Sequence, residues 1–334
     1  MNSKVNTVLV TGGAGFIGSH VTDELIKHGH SVIVLDDLSG GFTDNVNPKA
    51  KFIKGSVADT ILVDKIFSEN RISHIFHLAA YAAEGLSHFI RHFNYENNVL
   101  GSINLINAAI RHNIECFVFT SSIAVYGAGQ VPMREDMIPQ PEDPYGIAKY
   151  TIELDLKAAN RMFGLNYVIL RPHNVYGERQ NTGDKYRNVI GIFMNQLMQN
   201  QPLTIFGDGN QQRAFSYVGD IAPIIVKAGF NETAYGQTFN IGADQPYTVN
   251  ELAKAIGQAM DKPLHVEHLP ARNEVVEAYS DHTKVKNMLG YKTTVSLAEG
   301  IKKMAQWAKS VGPRQSEKFK NIEITKNLPP SWIS

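Results

Sequence analysis

Tyr145 and Lys149 stand four residues apart at the start of a helix-length stretch, and Ser121 and Ser122 close a short apolar run that begins at Cys116. A spacing of four puts the phenol and the ammonium on one helix face. A phenol takes a proton from an alcohol only as phenolate. Its ordinary pKa near 10 makes that state unfavourable at neutral pH by roughly 3 units, about 4 kcal/mol. A lysine charge one turn away offsets part of this, and a second positive charge beside the pair would offset more. An exposed polar pair on an ordinary helix has the same spelling, so spacing alone decides nothing. Position decides, because Ser121 and Ser122 fall at the carboxyl end of a strand-like run, where ligands sit in open α/β sheets.

The missing charge is suggested near the amino terminus, in Val8-Leu9-Val10-Thr11-Gly12-Gly13-Ala14-Gly15-Phe16-Ile17-Gly18. Gly13, Gly15 and Gly18 satisfy the G-x-G-x-x-G spacing, and Gly12 adds a second register of it. Such a turn needs unusual φ, admits a pyrophosphate to bare backbone, and lets a helix pack tightly on the preceding strand. The helix amino terminus then presents free N–H groups to phosphate. The acidic pair Asp36-Asp37, 18 residues beyond Gly18, closes the next predicted strand. A carboxylate there accepts hydrogen bonds from ribose hydroxyls and repels a 2′-phosphate, which selects NAD over NADP. An oxidised nicotinamide would supply the second positive charge.

These groups require a scaffold that brings strand ends together. Short β-branched runs at 7–10, 31–35, 51–53, 74–77, 116–119 and 167–170 alternate with helical patterns at 15–28, 58–68, 95–111 and 145–163. That alternation predicts an α/β fold, a Rossmann-like doubly wound parallel sheet. After Arg171-Pro172 the rhythm breaks, and helices at 189–199, 249–260 and 297–309 are separated by short strands at 203–206 and 237–241. The expected division is an NAD-binding domain over 1–174, completed by about 213–242, a smaller mixed α/β substrate domain over 175–212 and 243–311, and a docked polar tail over 312–334.

Composition sets outer bounds. The 334 residues carry 32 Lys+Arg against 32 Asp+Glu, which excludes a strong basic footprint and with it nucleic-acid binding as the main role. A single cysteine permits no internal disulfide and no thiolate zinc site, and the 12 histidines show no metal-ligand spacing. Cys116, inside an apolar run, reads as a small buried hydrophobe. The apolar run before Gly12 is too short for a membrane span or signal peptide, so a cytoplasmic protein without metal or membrane partner is expected.

Five segments carry a family resemblance: Thr11 to Gly18, His77-Leu78-Ala79-Ala80, Asn97-Asn98-Val99-Leu100-Gly101, Ser121 to Gly127, and Pro144-Tyr145-Gly146-Ile147-Ala148-Lys149. Together they resemble the extended short-chain dehydrogenases/reductases that act on nucleotide sugars, and most of all the UDP-hexose 4-epimerases, over residues 7–309. The resemblance implies that Tyr145 takes the proton of the sugar 4-hydroxyl while hydride leaves C4 for bound NAD. It implies that Ser122 holds the 4-oxygen and that Lys149 binds the nicotinamide ribose and lowers the tyrosine pKa. Cofactor contacts are implied at Gly12, Gly15, Phe16, Ile17 and Gly18, at Asp36 and Asp37, at Ser56 and Val57, and at Leu78, Ala79, Ala80 and Asn97. Asn97 reads equally as a buried polar staple.

A UDP-sugar partner is implied in the second half. Asn174 matches a substrate-contacting asparagine, Asn188, Val189 and Phe206 match the uridine-diphosphate lining, and Arg213 and Arg272 match pyrophosphate-binding arginines, whose forked donors suit phosphate. A homodimer is expected from the helical faces of 98–111 and 147–163, which read equally as core. Departures from the pattern are Ser56 for the usual Asp, Ala214 for an Asp after Arg213, and Asn273-Glu274 after Arg272. Ala278 aligns with a position that is small in relatives accepting N-acetyl groups, so N-acetylhexosamines are expected to fit. Relatives that dehydrate carry an acidic pair just after the Ser121 position, where this chain has Ser122-Ile123-Ala124. The competing readings are a uronic-acid epimerase, a decarboxylase, a 4,6-dehydratase, and a non-catalytic NAD-binding sensor.

Overall fold

The computed structural model describes residues 5–184, 186–271, 277–315, 319–329 and 332. Six strands open the chain: β1 (Thr7–Thr11), β2 (Ser31–Asp36), β3 (Lys51–Lys54), β4 (His74–His77), β5 (Cys116–Thr120) and β6 (Tyr167–Pro172). Eight follow: β7 (Val175–Tyr176), β8 (Leu203–Phe206), β9 (Gln212–Ala214), β10 (Ser216–Tyr217), β11 (Gln237–Ile241), β12 (Pro246–Thr248), β13 (Val266–Leu269) and β14 (Glu277–Ala278). The main sheet runs β11-β6-β5-β4-β1-β2-β3, parallel throughout. Strand order reverses between β1 and β4, the crevice where open α/β sheets bind ligands.

The central strands β4, β5 and β6 are buried along their whole length, because helices cover both faces of the sheet. One layer packs Val8, Val10, Phe76 and Val118 against helices Phe16–Lys27 and Val218–Gly229. The opposite layer packs Leu9, Ile75, Phe117 and Ile169 against Thr60–Glu69, Gly101–Arg111 and Pro144–Phe163. Residues 218–241 thus return to the first lobe and add β11 beside β6. A third core joins Val189–Met198, Val249–Met260 and Leu297–Val311 around Phe193, Leu252 and Ile301 in the second lobe.

The helix expected over 95–111 differs. The chain is already helical from Arg91–Tyr95, makes a π turn over Glu96–Leu100, and only then enters the α-helix Gly101–Arg111. The extra residue in that turn rotates Asn97 and Asn98 out of ordinary register, a device common at functional sites. Asn98 uses the rotation to accept from the Tyr81 N–H at 2.9 Å and donate to Asn94 Oδ1 at 2.8 Å. The faces left open between core and dimer contact prove mixed: Leu105, Ile106, Ile152 and Leu156 are buried, whereas Leu100, Ile147 and Leu154 are exposed.

Candidate active site

The glycine-rich turn leaves β1 with Gly12 at φ +73°, where a Cβ would lie 2.7 Å from Ala79 N. A Cβ on Gly18 would lie 2.1 Å from Gly12 O, so turn and helix touch backbone to backbone. The Asp36 carboxylate holds the turn from β2, accepting from Ala14 N at 3.0 Å and Leu38 N at 2.8 Å. Burial raises its pKa, and those two N–H bonds oppose the rise. The carboxylate lines the cavity above the turn. Asp37 is exposed and accepts from Ser39 N at 2.8 Å.

A hydrogen-bonded chain braces the turn from beneath. The Ala79 N–H donates to Thr11 Oγ1 (3.3 Å), the Thr11 hydroxyl to His77 Nδ1 (2.7 Å), His77 Nε2 to Ser102 Oγ (2.8 Å), and the Ser102 hydroxyl to Asn98 O (2.7 Å). Ser102 spends its one proton on Asn98, so the histidine is neutral with its proton on Nε2. Burial, with the Lys149 charge adding to it, pushes the His77 pKa down to about 3.

The cavity above this turn holds about 320 Å³, and every cofactor-contact candidate lines it: the turn and helix residues, Asp36, Asp37, Ser56, Val57, Leu78, Ala79, Ala80, Asn97, Tyr145 and Lys149. Asn97 lines it while donating to Phe93 O at 2.9 Å. Ser56, the departure from the expected aspartate, accepts from Ala58 N at 3.1 Å within its own turn.

Tyr145 and Lys149 sit on the first two turns of Pro144–Phe163, whose amino end is capped by Asp143 accepting from Gly146 N at 2.9 Å. Lys149 Nζ donates to Thr120 O at 2.8 Å and lies 5.8 Å from the Tyr145 ring centre. Burial lowers its pKa to about 7, and the Glu153 carboxylate opposes that. Burial raises the Tyr145 pKa, the Glu84 carboxylate raises it further, and a hydrogen bond with Ser122 lowers it. Ser122 Oγ also accepts from Ala124 N at 3.1 Å, which anchors the turn Ile123–Tyr126.

Behind the pair lies a buried network not anticipated from the sequence. Glu153 Oε1 accepts from Ser121 Oγ at 2.6 Å and from Arg171 Nε at 2.8 Å; Arg171 Nη1 reaches Tyr126 Oη at 2.7 Å, which reaches Asn240 Oδ1 at 2.9 Å. It locks β5, β6, β11 and the Tyr145 helix in one register. Its signal was present, since Glu153 lies one further turn along the Tyr145–Lys149 face.

A second cavity, of about 410 Å³, is lined by Asn174, Asn188, Val189, Phe206 and Arg213. Asn174, at φ +40°, donates to Ala214 O at 3.1 Å, and Arg213 Nη1 donates to Gln212 O at 2.8 Å. Arg272 lies outside the described residues. Ala278 is not part of either lining; it is buried against Ile123, Val125, Tyr126 and Met133, next to Arg213 on β9. The two cavities meet at Asn174, Val175, Arg187 and Asn188, which line both. Arg187 was missed although it directly precedes the Asn188-Val189 match; its guanidinium pairs with Asp184 and lies 5.0 Å from the Tyr81 ring centre.

The profile of the NAD dependent epimerase/dehydratase family matches residues 8–242. The chain belongs to this family. A UDP-glucose 4-epimerase of Mycolicibacterium smegmatis is 35% identical over 90% of this chain and 97% of its own. The crystal structure of Thermotoga maritima UDP-glucose 4-epimerase with UDP-glucose superposes with a TM-score of 0.87 at 36% identity, covering 91% of this chain and 99% of its own. A UDP-N-acetyl-alpha-D-glucosaminuronate decarboxylase of Bacillus cytotoxicus is 30% identical over 91% of this chain and 98% of its own. Relatives of this epimerase/dehydratase thus include both epimerases and a decarboxylase of UDP-sugars.

NAD, the family's cofactor, fits the first cavity on its own chemistry. Gly12, Gly15 and Gly18 line it at the amino end of the helix Phe16–Lys27, where backbone N–H groups suit a pyrophosphate, and the Asp36 carboxylate lines it beside them. The Gln180 side chain lines the same cavity at 1% exposure with both amide atoms unpartnered among the described residues, the state of a group whose partner is a ligand. No metal-sized cluster of His, Cys, Asp or Glu occurs among the described residues, and no described helix is long and apolar enough to cross a membrane.

Proposed function

We propose that this NAD-dependent enzyme interconverts the C4 epimers of a UDP-hexose or UDP-N-acetylhexosamine through a 4-keto sugar. One observation carries the reading: the cavity fitted for a dinucleotide and the cavity lined by Arg213 and Phe206 share Asn174 and Arg187 in their walls, and Tyr145 and Ser122 line the first of them. When bound, NAD supplies the hydride acceptor and donor, and in its oxidised form a positive charge. Tyr145 Oη takes the proton of the 4-hydroxyl and later returns it. Ser122 Oγ holds the 4-oxygen toward that phenol. Lys149, fixed by Thr120 O, lies 5.8 Å from the Tyr145 ring centre, where its charge favours the phenolate. Burial sets the two groups against ionising alone, so ammonium and phenolate form together, each lowering the cost of the other.

Arg213 grips the pyrophosphate while the keto sugar turns its other face to the nicotinamide, and Asn174, Asn188, Val189 and Phe206 hold the nucleotide half. Arg272 shares the phosphate load in this reading. Ile123 and Ala124 follow Ser122 where an acid–base pair would be needed to expel water from the sugar, which disfavours dehydration. A homodimer built on the exposed Leu100, Ile147 and Leu154 belongs to the same proposal.

NMR of products from UDP-glucose, UDP-galactose, their N-acetylamino analogues and UDP-glucuronate tests this. Interconversion of C4 epimers is expected, and Tyr145→Phe should remove it. Turnover that survives Tyr145→Phe, or release of carbon dioxide from UDP-glucuronate as the main reaction, would sink the assignment.

A further inference from the structure

Past helix Leu297–Val311 the described residues dock in turn on elements that border the two cavities. Arg314 exchanges backbone hydrogen bonds with the Asn195 amide, 2.9 Å each way, and its guanidinium lies 3.7 Å from the Phe42 ring centre. Phe319 meets Tyr81 and Phe93 edge-on at 5.2 and 5.0 Å between ring centres, and its N–H donates to Tyr186 Oη at 3.2 Å. The Glu323 carboxylate accepts from the N–H groups of His92 and Phe93 at 2.8 and 2.9 Å, and its own N–H donates to Phe89 O at 2.8 Å. Trp332 is 8% exposed and packs edge-on to Tyr186 and Phe89, at 5.2 and 5.9 Å.

The surface being gripped belongs to the reaction cleft. Tyr81 and Glu84 line the first cavity, and Ser87 Oγ accepts the backbone N–H of Tyr145 at 3.2 Å. Trp332 itself lines the second cavity together with Tyr186 and Arg187. A Cβ on Gly85, next to Glu84, would lie 3.2 Å from the indole Cη2. Through Gly85 the indole thus touches the helix Glu84–Ser87, which carries Glu84 of the first cavity wall and the Ser87 hydroxyl that accepts from the Tyr145 N–H.

We propose that Trp332 is a substrate-binding residue, carried by a C-terminal strap into the cavity wall, where its ring packs against the glycosyl end of the nucleotide sugar. Large aromatic side chains give apolar contact and shape at little entropic cost, which suits a sugar that must be held and yet turn. The assignment rests on the UDP-sugar reading above.

Binding of UDP and of UDP-glucose to the NAD-loaded full chain, measured by calorimetry, is the test. Trp332→Ala should weaken UDP-glucose about tenfold and UDP by less than about twofold, with Trp332→Phe restoring most of the difference. Unchanged UDP-glucose affinity, or equal loss for both ligands, overturns the assignment. Docking is read separately in Trp307→Phe protein, where Trp332 is the one remaining tryptophan of two. Blue, iodide-protected emission is expected, and red, freely quenched emission overturns the strap. Wild-type protein that binds neither UDP nor UDP-glucose while Trp332 stays protected overturns the UDP-sugar reading and, with it, the ligand named here, but leaves the strap standing.

Discussion

Lys149 Nζ donates to Thr120 O, the last carbonyl of β5, across 2.8 Å. One residue beyond that carbonyl begins Ser121-Ser122, so a single bond from the helix fixes the distance between the phenol side of the site and its serine. The same lysine is buried and ionises with a pKa of about 7, against the usual 10.5. The unfolded chain therefore binds more protons than the folded one between about pH 7 and 10.5, and stability of the cofactor-free protein should rise across that window. Lys149→Met should flatten the rise and lower kcat at least about a hundredfold. Thermal unfolding at pH 7 and 9.5 reads the first effect; equal slopes for both proteins would contradict it.

Gly18→Ala places a Cβ 2.1 Å from Gly12 O, so one of the two backbones must shift. The turn must open, and it opens into the space a pyrophosphate would take. Added NAD raises the melting temperature of any protein that binds it only when folded. That increment should vanish in Gly18→Ala, while urea unfolding without NAD changes far less.

Gln180, another lining residue, also tests the first cavity. Removing an amide that has no partner among the described residues relieves a desolvation cost of about 1–3 kcal/mol, so Gln180→Leu should leave the cofactor-free protein as stable as before or more so. If the amide serves a ligand, stabilisation by NAD or UDP drops in the same variant. Undiminished stabilisation by both would show that the amide faces neither.

His77 predicts an acid weakness. Its folded pKa of about 3 lies below the ordinary 6.5, so its contribution is present above pH 6.5 and is lost as pH falls toward 3. Between pH 7 and 5 this amounts to about 2 kcal/mol. His77→Gln should be less stable at pH 7 yet lose less on acidification, which urea midpoints at the two pH values measure.

Much of this protein is legible in one dimension. The turn at Gly12 to Gly18, the acidic end of β2, and the Tyr145–Lys149 spacing are local: each follows from steric or helical rules acting within a few residues, and the parallel sheet follows from alternating apolar runs that must be covered on both faces. The π turn at Glu96–Leu100 was not legible, because it depends on Asn98 finding Tyr81 and Asn94. Nor was the Glu153–Arg171 pair, whose partners come from a helix and a strand 18 residues apart. Arg187 directly precedes a matched pair and Trp332 lies in a segment without periodicity, and only folding brings the two to one cavity wall. Sequence alone thus determined the chemistry available and the sheet that carries it, because those depend on residue type and short-range geometry. Tertiary structure decided which strand ends meet, which carboxylate is buried behind the lysine, and which distant residues share the wall of the second cavity, because these rest on contacts between residues far apart along the chain.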